Sequence, residues 1–240
     1  MKLEHEHSQT AIQARLAEET SVNYLRDWVY GSIDGAVTTF AVVSGVVGAQ
    51  LSLRVILILG VANLLADGFS MAAGNYSATK SELDDAERLR EIERKHIRQV
   101  PEGEREEIRQ ILIAKGLQGS TLEEATDAIT SNEELWINTM LAEEYGISPV
   151  SRDPLRSALV TFSAFFLCGA IPLAPFILGL ENAFTTSALL TAAVFFLTGM
   201  VKSRWSLAPW WRSGSETLLI GGLAAAVSYG VGYLLRGVVG

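Results

Sequence analysis

Five long apolar stretches constrain this chain more than any other feature of its 240 residues. Each stretch approaches the ~20 residues that an α-helix needs to cross the ~30 Å hydrocarbon core of a bilayer. A soluble core would supply one or two such stretches, but hardly five. They cover residues 28–49, 54–76, 157–180, 184–201 and 216–235. The sequence therefore predicts an all-α membrane protein with five transmembrane helices.

The acidic residues are concentrated between the second and third apolar stretches. Residues 77–157 contain 18 acidic and 11 basic side chains, so they carry −7 of the formal net charge of −8. This excess of acid excludes a basic nucleic-acid binder and favours cations as partners, beside the lipid bilayer. The predicted parts are a polar N-terminal segment (1–27), two spans (28–76), an acidic insert (77–153) and three spans (154–240).

Basic residues in the short connections predict the orientation in the membrane. The connection at 202–213 contains Lys202, Arg204 and Arg212, whereas the one near 181–183 contains none. Cytoplasmic loops carry the excess of Lys and Arg. We therefore expect the N-terminal segment and the acidic insert to be cytoplasmic.

Helical spacing of apolar residues continues through the insert. The predicted helices cover 80–99, 102–115, a short stretch that Thr121 precedes, and 132–145. Glu124 would complete a capping box with Thr121. The interruptions at Pro101, Gly116 and Gly146 are typical helix boundaries. We predict an insert of three to four helices.

Carboxylates inside the first two spans are the first candidate functional groups. Asp34 lies in the first span and Asp67 in the second, and Asp27 precedes Asp34 by seven residues, on the same helix face. An ionised carboxylate at the centre of a membrane helix costs roughly 2.5–3.5 kcal/mol even on insertion scales, so such groups are usually functional. Met71 and Asn75 follow Asp67 at four-residue intervals. Interhelical hydrogen bonding is the alternative explanation for the asparagine.

This donor set predicts a transition metal and a competing proton. Carboxylate oxygens combined with the thioether of Met71 suit Fe²⁺, Mn²⁺ or Co²⁺ better than Mg²⁺ or Ca²⁺. Burial favours the protonated form of a carboxyl group until a cation arrives. Competition between metal and proton for one site is the minimum requirement for antiport.

The insert contains a second set of possible ligands on three of its predicted helices. Glu93 and His96 are three residues apart, as are Glu104 and Glu107, so each pair shares a helix face. Met140 repeats this spacing with Glu143, or pairs with Glu144 instead. A solvated acidic surface is the alternative explanation for each pair taken alone.

Several motifs resemble the vacuolar iron transporter family. These are "RDWVYGSIDGAVTTFAVVSGVVGA" and "LLADGFSMAAGNYSA" in the first two spans, followed by "VPEGEREEIRQILIAKGL", "ELWINTMLAEEYGI" and "CGAIPLAPF" in the same order as in that family. The resemblance implies a homodimer of five-span protomers that exchanges Fe²⁺, and often Mn²⁺, for protons, without a prosthetic group. It also implies a cytoplasmic, helical, metal-binding insert.

The resemblance assigns roles to particular residues. Asp34 and Met71 match the translocation site, and Asp27 matches an acidic residue nearer the cytoplasm. The matching insert ligands are Glu93, Glu104, Glu107, Met140 and Glu144, with Glu143 as the alternative to Glu144. Asn75 departs from the family pattern, which has Glu at this position, and His96 stands where a Glu is expected.

Three functions are compatible with these patterns. The first is a proton-coupled exporter of Fe²⁺, and of Mn²⁺, Co²⁺ or Zn²⁺, in which Asp34, Asp67 and Asn75 line the proton or translocation pathway. The second is a membrane-anchored metal sensor or buffer. The third is a di-iron oxidase, which normally needs two Glu-x-x-His motifs where this chain has one. We expect a transporter rather than an enzyme, in a bacterial inner membrane or, alternatively, a vacuolar membrane.

Overall fold

The computed structural model describes residues 6–17, 22–147 and 152–239, and within these ranges it contains helices but no strand. The helices are α1 (Gln9–Ala17), α2 (Leu25–Gly48), α3 (Leu53–Gln99), α4 (Pro101–Ala114), α5 (Gly119–Thr130), α6 (Glu133–Glu143), α7 (Pro154–Ala170), α8 (Ala174–Ile177), α9 (Ala183–Ser203) and α10 (Trp210–Val239). A short 3₁₀ turn, Ile171–Leu173, joins α7 to α8.

Five helical segments in the described chain are long and apolar enough to cross a membrane. They are α2, α3, the α7–α8 segment, α9 and α10. Their number and positions confirm the predicted all-α class with five spans.

The chain divides into two compact units. The membrane unit consists of Tyr24–Ser81 and Asp153–Gly240, and the insert unit consists of Met1–Asn23 and Glu82–Arg152. The roles assigned to the four predicted segments, and the cytoplasmic location of the insert, stay predictions.

The second span and the first insert helix form one helix, α3, where the sequence suggested two. Residues 76–99 contain neither Gly nor Pro, so nothing in this stretch interrupts the backbone hydrogen bonds of the helix. After Tyr76 the side chains change from mainly apolar to mainly polar, but the helix itself does not end there.

Helix α2 lies at the centre of the membrane unit. In its most apolar stretch 56% of the residues are buried, against 11% in α10, and it packs against α7, α9 and α10. The apolar core includes Phe40 and Val43 of α2, together with Phe165 of α7. Because α2 is central, its acidic residues Asp27 and Asp34 lie next to other helices of the bundle.

Helices α2 and α10 approach each other at a pair of glycines. A Cβ atom added to Gly232 would overlap the carbonyl oxygen of Gly45. Small residues allow such close backbone approach between membrane helices. A Cβ atom added to Gly230, two residues earlier on the same helix, would meet no atom within 4 Å.

The third span is interrupted at Pro172. Because proline lacks a backbone N–H, α7 ends at Ala170 and the chain continues as a 3₁₀ turn. The buried hydroxyl of Ser187 on α9 donates a 2.7 Å hydrogen bond to the carbonyl oxygen of Pro172. This bond satisfies a backbone group that the break leaves without a helical partner.

Apolar contacts organise the insert unit. One cluster contains Ile108, Leu112, Leu122, Trp136 and Met140 from α4, α5 and α6. A second cluster packs Leu89 of α3 against Ile137 and Leu141 of α6. These two clusters hold α3, α4, α5 and α6 together in the insert unit.

The predicted ends of the insert helices agree with the structure at α4 and α6 but not at α5. The side chain of Asn132 caps α6 by accepting a 3.0 Å hydrogen bond from the backbone N–H of Leu135. The expected capping box at Thr121 is wrong, because α5 begins two residues earlier, at Gly119, without a side-chain cap. The other predicted helices of the insert agree with α4 and α6 to within two residues.

Candidate metal and proton sites

Three side chains of the insert unit form a cluster that is able to hold a metal ion. Oxygen or nitrogen atoms of Glu93, His96 and Glu104 all lie within 4.8 Å of one another. His96 Nδ1 is 3.3 Å from Glu104 Oε1. The chain leaves α3 at Gln99 and starts α4 at Pro101, and this tight connection brings the two helix faces together. Two carboxylates and an imidazole suit divalent ions such as Fe²⁺, Mn²⁺ and Zn²⁺.

The two carboxyl groups of this cluster are buried. Glu93 is 1% exposed and Glu104 is 6% exposed, whereas the His96 side chain is about half-exposed. Oε2 of Glu93 and Oε2 of Glu104 are buried without a hydrogen-bond partner. A buried carboxylate oxygen left in this state is unfavourable until a proton or a cation binds.

The electrostatic surroundings favour protonation of the cluster. Burial, followed by the charges of Glu107 and Glu93, raises the pKa of Glu104 to about 7. Burial, followed by the same two charges, also raises the pKa of Glu144. Glu107 and Glu144 are themselves exposed, so they border the cluster on its solvent side.

The structure separates Glu143 from Glu144. Glu143 Oε1 is 2.6 Å from the ammonium group of Lys115, so its charge is already paired. Glu144 interacts instead with the charges of Glu93 and Glu107. Of the two alternatives, Glu144 has the carboxylate that is not paired with Lys115, and its binding of metal stays a prediction.

Met140 has a different environment from the carboxylates. It is 0% exposed and packs in the apolar cluster with Ile108, Leu112 and Trp136. Its predicted role as a sulfur ligand stays a prediction.

Tyr145 is a neighbour of the cluster that sequence reasoning missed. Its hydroxyl donates a 2.9 Å hydrogen bond to Glu93 Oε1, and burial raises the pKa of Tyr145, so the hydroxyl keeps its proton. The only sequence signal was its position directly after the acidic pair at the end of α6.

The metal-free insert unit is expected to lose stability as the pH rises from about 5 to about 8. Folding raises the pKa of Glu104 from 4.5 to about 7, so the stabilisation is complete below pH 4.5 and is lost as the pH passes 7. Glu104→Gln removes this ionisation and should raise the Tm of the insert at pH 8 by roughly 5 °C. Differential scanning calorimetry without metal measures both effects.

The matched control for this prediction is Glu124→Gln, at an exposed position on α5. It should leave the slope of Tm against pH unchanged. An insert unit that becomes more stable as the pH rises over this range would contradict the assignment of Glu104.

In the membrane unit, Asp34 and Asp67 belong to neighbouring helices. Both side chains are half-buried. The amide of Asn63 on α3 donates a 3.3 Å hydrogen bond to Thr38 Oγ1, and the Thr38 hydroxyl donates to the carbonyl oxygen of Asp34 at 2.9 Å. These bonds connect α3 to α2 at the turn of α2 that contains Asp34.

Met71 lies one turn beyond Asp67 on α3. It is partly buried and packs against the apolar core that contains Leu64 and Phe165. The carboxylate of Asp67 and the thioether of Met71 therefore lie on adjacent turns of α3. Binding of an ion by Met71 stays a prediction.

Asn75 connects three helices around a buried carboxylate. Its Nδ2 amide donates to Asp27 Oδ1 at 2.9 Å and to Thr161 Oγ1 at 2.7 Å, and it also lies 3.3 Å from the carbonyl oxygen of Ser157. Asp27 is 3% exposed. Asn75 therefore makes the interhelical hydrogen bonds that were the alternative explanation for it, and Asn63 also bonds between helices.

Replacing Asn75 by Asp is expected to destabilise the membrane unit. The substitution places a second carboxylate beside Asp27 and removes the amide donor that Asp27 and Thr161 share. Loss of one hydrogen bond to a charged group costs about 1.5–3 kcal/mol, and the like charge of the new carboxylate adds to this loss. A clear decrease in Tm in detergent should follow.

The exchanged pair provides the control. In the double variant Asp27→Asn/Asn75→Asp, one amide and one carboxylate again face each other, so most of the Tm should recover. A double variant that is less stable than Asn75→Asp alone would show that the direct bond between the two side chains is not the cause.

Together these observations define a class of protein. A bundle of five membrane-spanning helices, carboxylates within two of them and an acidic helical unit with a buried ligand cluster are typical of an integral membrane protein that transports metal cations. The sequence model of the VIT family matches residues 25–233. The chain belongs to this family, as the resemblance of its motifs predicted.

Relatives with established names support the same class. The chain is 34% identical to a vacuolar iron transporter of Toxoplasma gondii, over 92% of this chain and 77% of the relative. It is 32% identical to vacuolar iron transporter 1 of Oryza sativa subsp. japonica and to that of Arabidopsis thaliana, in each case over 88% of this chain and 85% of the relative. These relatives are transporters, which confirms the expectation that the chain is not an enzyme.

Proposed function

We propose that the protein exports Fe²⁺ from the cytoplasm in exchange for protons. The observation that carries this proposal is the pair of half-buried carboxyl groups, Asp34 and Asp67, on two apolar spans that hydrogen bonds through Asn63 and Thr38 connect. Two like charges in such surroundings are unfavourable unless a cation or a proton compensates them. Alternate binding of metal and proton at this pair would couple the two fluxes.

The proposal divides the work between the two units. The insert unit collects the ion, and the membrane unit then binds and releases it. The proposed insert ligands are Glu93, His96, Glu104, Glu107, Glu144 and Met140. In the membrane unit, Asp27, Asp34 and Met71 would bind metal, and Asp34 and Asp67 would exchange protons. Asn75 contributes by holding the carboxylate of Asp27.

The donor atoms and the names of the relatives support a proposal for the transported ions. The names of the relatives point to iron. Oxygen, imidazole and thioether donors also accept Mn²⁺, Co²⁺ and Zn²⁺, which we propose as further substrates. The ion is cargo in this proposal, and no prosthetic group takes part.

A homodimer would explain the surface around the acidic pair. Exposed apolar side chains of α3, including Ile58, Leu65 and Phe69, lie on the same helix as the half-buried Asp67. A second copy covering this surface would remove the carboxylates from contact with lipid, where they are costly.

The N-terminal segment and the insert are proposed to be cytoplasmic, whether the membrane is a bacterial inner membrane or a vacuolar membrane.

Flux in proteoliposomes tests the proposed exchange. Purified protein is reconstituted with an iron-sensitive dye inside and a pH-sensitive dye in a parallel sample, and a pH gradient is imposed. We expect Fe²⁺ movement that depends on the gradient, accompanied by proton movement in the opposite direction. Protein-free vesicles with the same gradient control for leakage.

Flux, Fe²⁺ binding and O₂ consumption, measured on the same preparation, separate the alternatives. Binding of Fe²⁺ without flux would overturn transport and favour a membrane-anchored sensor or buffer. Flux without proton movement would retain transport and overturn the coupling. Consumption of O₂ with oxidation of Fe²⁺ in detergent would favour the oxidase.

A further inference from the structure

The hydrogen bond between Tyr145 and Glu93 connects the end of α6 to the ligand cluster. Glu93 is 1% exposed, so its carboxyl group is almost completely removed from water. The Tyr145 hydroxyl donates to Glu93 Oε1 at 2.9 Å, and Glu93 Oε2 is left buried without a partner. One oxygen of this carboxylate is therefore fixed and the other remains available.

The two arginines that flank Glu93 on α3 are engaged elsewhere. Arg90 and Arg94, which flank it on α3, bond to Glu134 in the first turn of α6 at 2.8 and 3.0 Å. Arg90 also donates to Asn138 at 2.6 Å. A cationic partner would compete with a metal ion for Glu93, whereas a neutral hydroxyl orients the carboxylate and leaves its negative charge uncompensated.

The available oxygen belongs to the same group of ligands as His96 and Glu104. Ligand atoms of these two residues and of Glu93 lie within 4.8 Å of one another. Partners that hydrogen-bond to a ligand carboxylate fix its orientation, and their loss typically lowers metal affinity 10- to 100-fold.

We propose that Tyr145 is a positioning residue for the metal site of the insert unit. Its hydroxyl holds Oε1 of Glu93, so that Oε2 joins Glu104 and His96 around a divalent transition-metal ion. This inference rests on the proposed function, because it assumes that the cluster binds metal. The segment after α6 would then provide Tyr145 to orient Glu93, in addition to Glu144 as a possible ligand.

The test measures Mn²⁺ binding by the full-length protein in detergent, because the EPR signal of free Mn²⁺ decreases on binding. The Glu104→Gln variant identifies the part of the binding that belongs to the insert unit. Tyr145→Phe removes only the hydroxyl, and we expect it to raise the Kd of this part about tenfold. Tyr30→Phe, at an exposed position in α2, is the matched control and should leave the Kd unchanged.

A double-mutant cycle with Glu93→Gln separates positioning from a general effect on the fold. If Tyr145 acts through Glu93, the hydroxyl should matter less than about twofold once Glu93 is already changed. The Tm of metal-free Tyr145→Phe, measured in parallel, should stay within a few degrees of the wild type.

The outcomes are distinct. A Kd for Tyr145→Phe equal to that of the wild type would overturn the inference and leave the proposed function intact. An equal loss of affinity in the Glu93→Gln background would also overturn it. Absence of any Glu104-dependent Mn²⁺ binding in the wild type would instead remove the metal site on which the inference rests.

Discussion

Replacing Asp34 by asparagine is expected to lower Fe²⁺ flux in proteoliposomes about 100-fold, with loss of the opposing proton movement. The amide keeps the size of the side chain but provides neither a negative charge nor a group that exchanges protons. A loss of about 3 kcal/mol in binding of a cation between apolar helices corresponds to about two orders of magnitude. The substitution also removes an ionisable group from an apolar span, where its charged form is costly, so the variant should fold at least as well as the wild type.

Two measurements show whether this effect belongs to the membrane unit. Glu104-dependent Mn²⁺ binding by the Asp34→Asn variant should equal that of the wild type, because the insert unit has its own ligands. Asp85→Asn, at an exposed position that pairs with Arg88, is the matched control and should retain full flux. Wild-type flux in Asp34→Asn would show that the translocation site lies elsewhere.

Replacing Gly232 by alanine is expected to produce the largest loss of stability among single-methyl additions in α10. The added Cβ would overlap the carbonyl oxygen of Gly45, so α2 and α10 would have to separate. Overpacking of this kind costs about 1–3 kcal/mol, equivalent to a decrease in Tm of roughly 5–10 °C. Thermal unfolding in detergent, followed by size-exclusion chromatography of heated samples, measures this change.

Gly230→Ala is the control, two residues away on the same helix. Its Cβ would meet no atom within 4 Å, and alanine is the better helix former. We expect the Tm of this variant to equal or slightly exceed that of the wild type. Equal destabilisation by both substitutions would show that helix propensity, and not the contact with α2, determines the result.

Much of the fold could be predicted from local patterns. Hydropathy located the five spans, and apolar spacing with interruptions such as Pro101 located α4 and α6, because both signals depend on residues close together in the chain. The continuity of α3 was not predictable in this way, because the change from apolar to polar composition after Tyr76 resembles a helix boundary although the helix continues. The start of α5 was not predictable in this way either, since Thr121 matches a capping pattern that the backbone does not use.

The candidate sites were predictable only in part. Spacing placed Glu93 with His96, and Glu104 with Glu107, because each pair shares a helix face. Spacing did not distinguish Glu143 from Glu144, which are adjacent and differ in whether Lys115 reaches them. The bond between Asn75 and Asp27 joins residues 48 positions apart in the chain, so no local pattern indicated it.

The sequence by itself determined the all-α class, the five spans, the acidic insert and membership of the VIT family, because hydropathy, helical periodicity and motif order are properties of the chain. Only the tertiary structure decided which polar groups meet. The approach of Glu93 to Glu104, the bond from Tyr145 and the fit of Gly232 against Gly45 depend on how separate helices pack. Packing is set by contacts between residues far apart in sequence, and these contacts become defined only when the helices assemble.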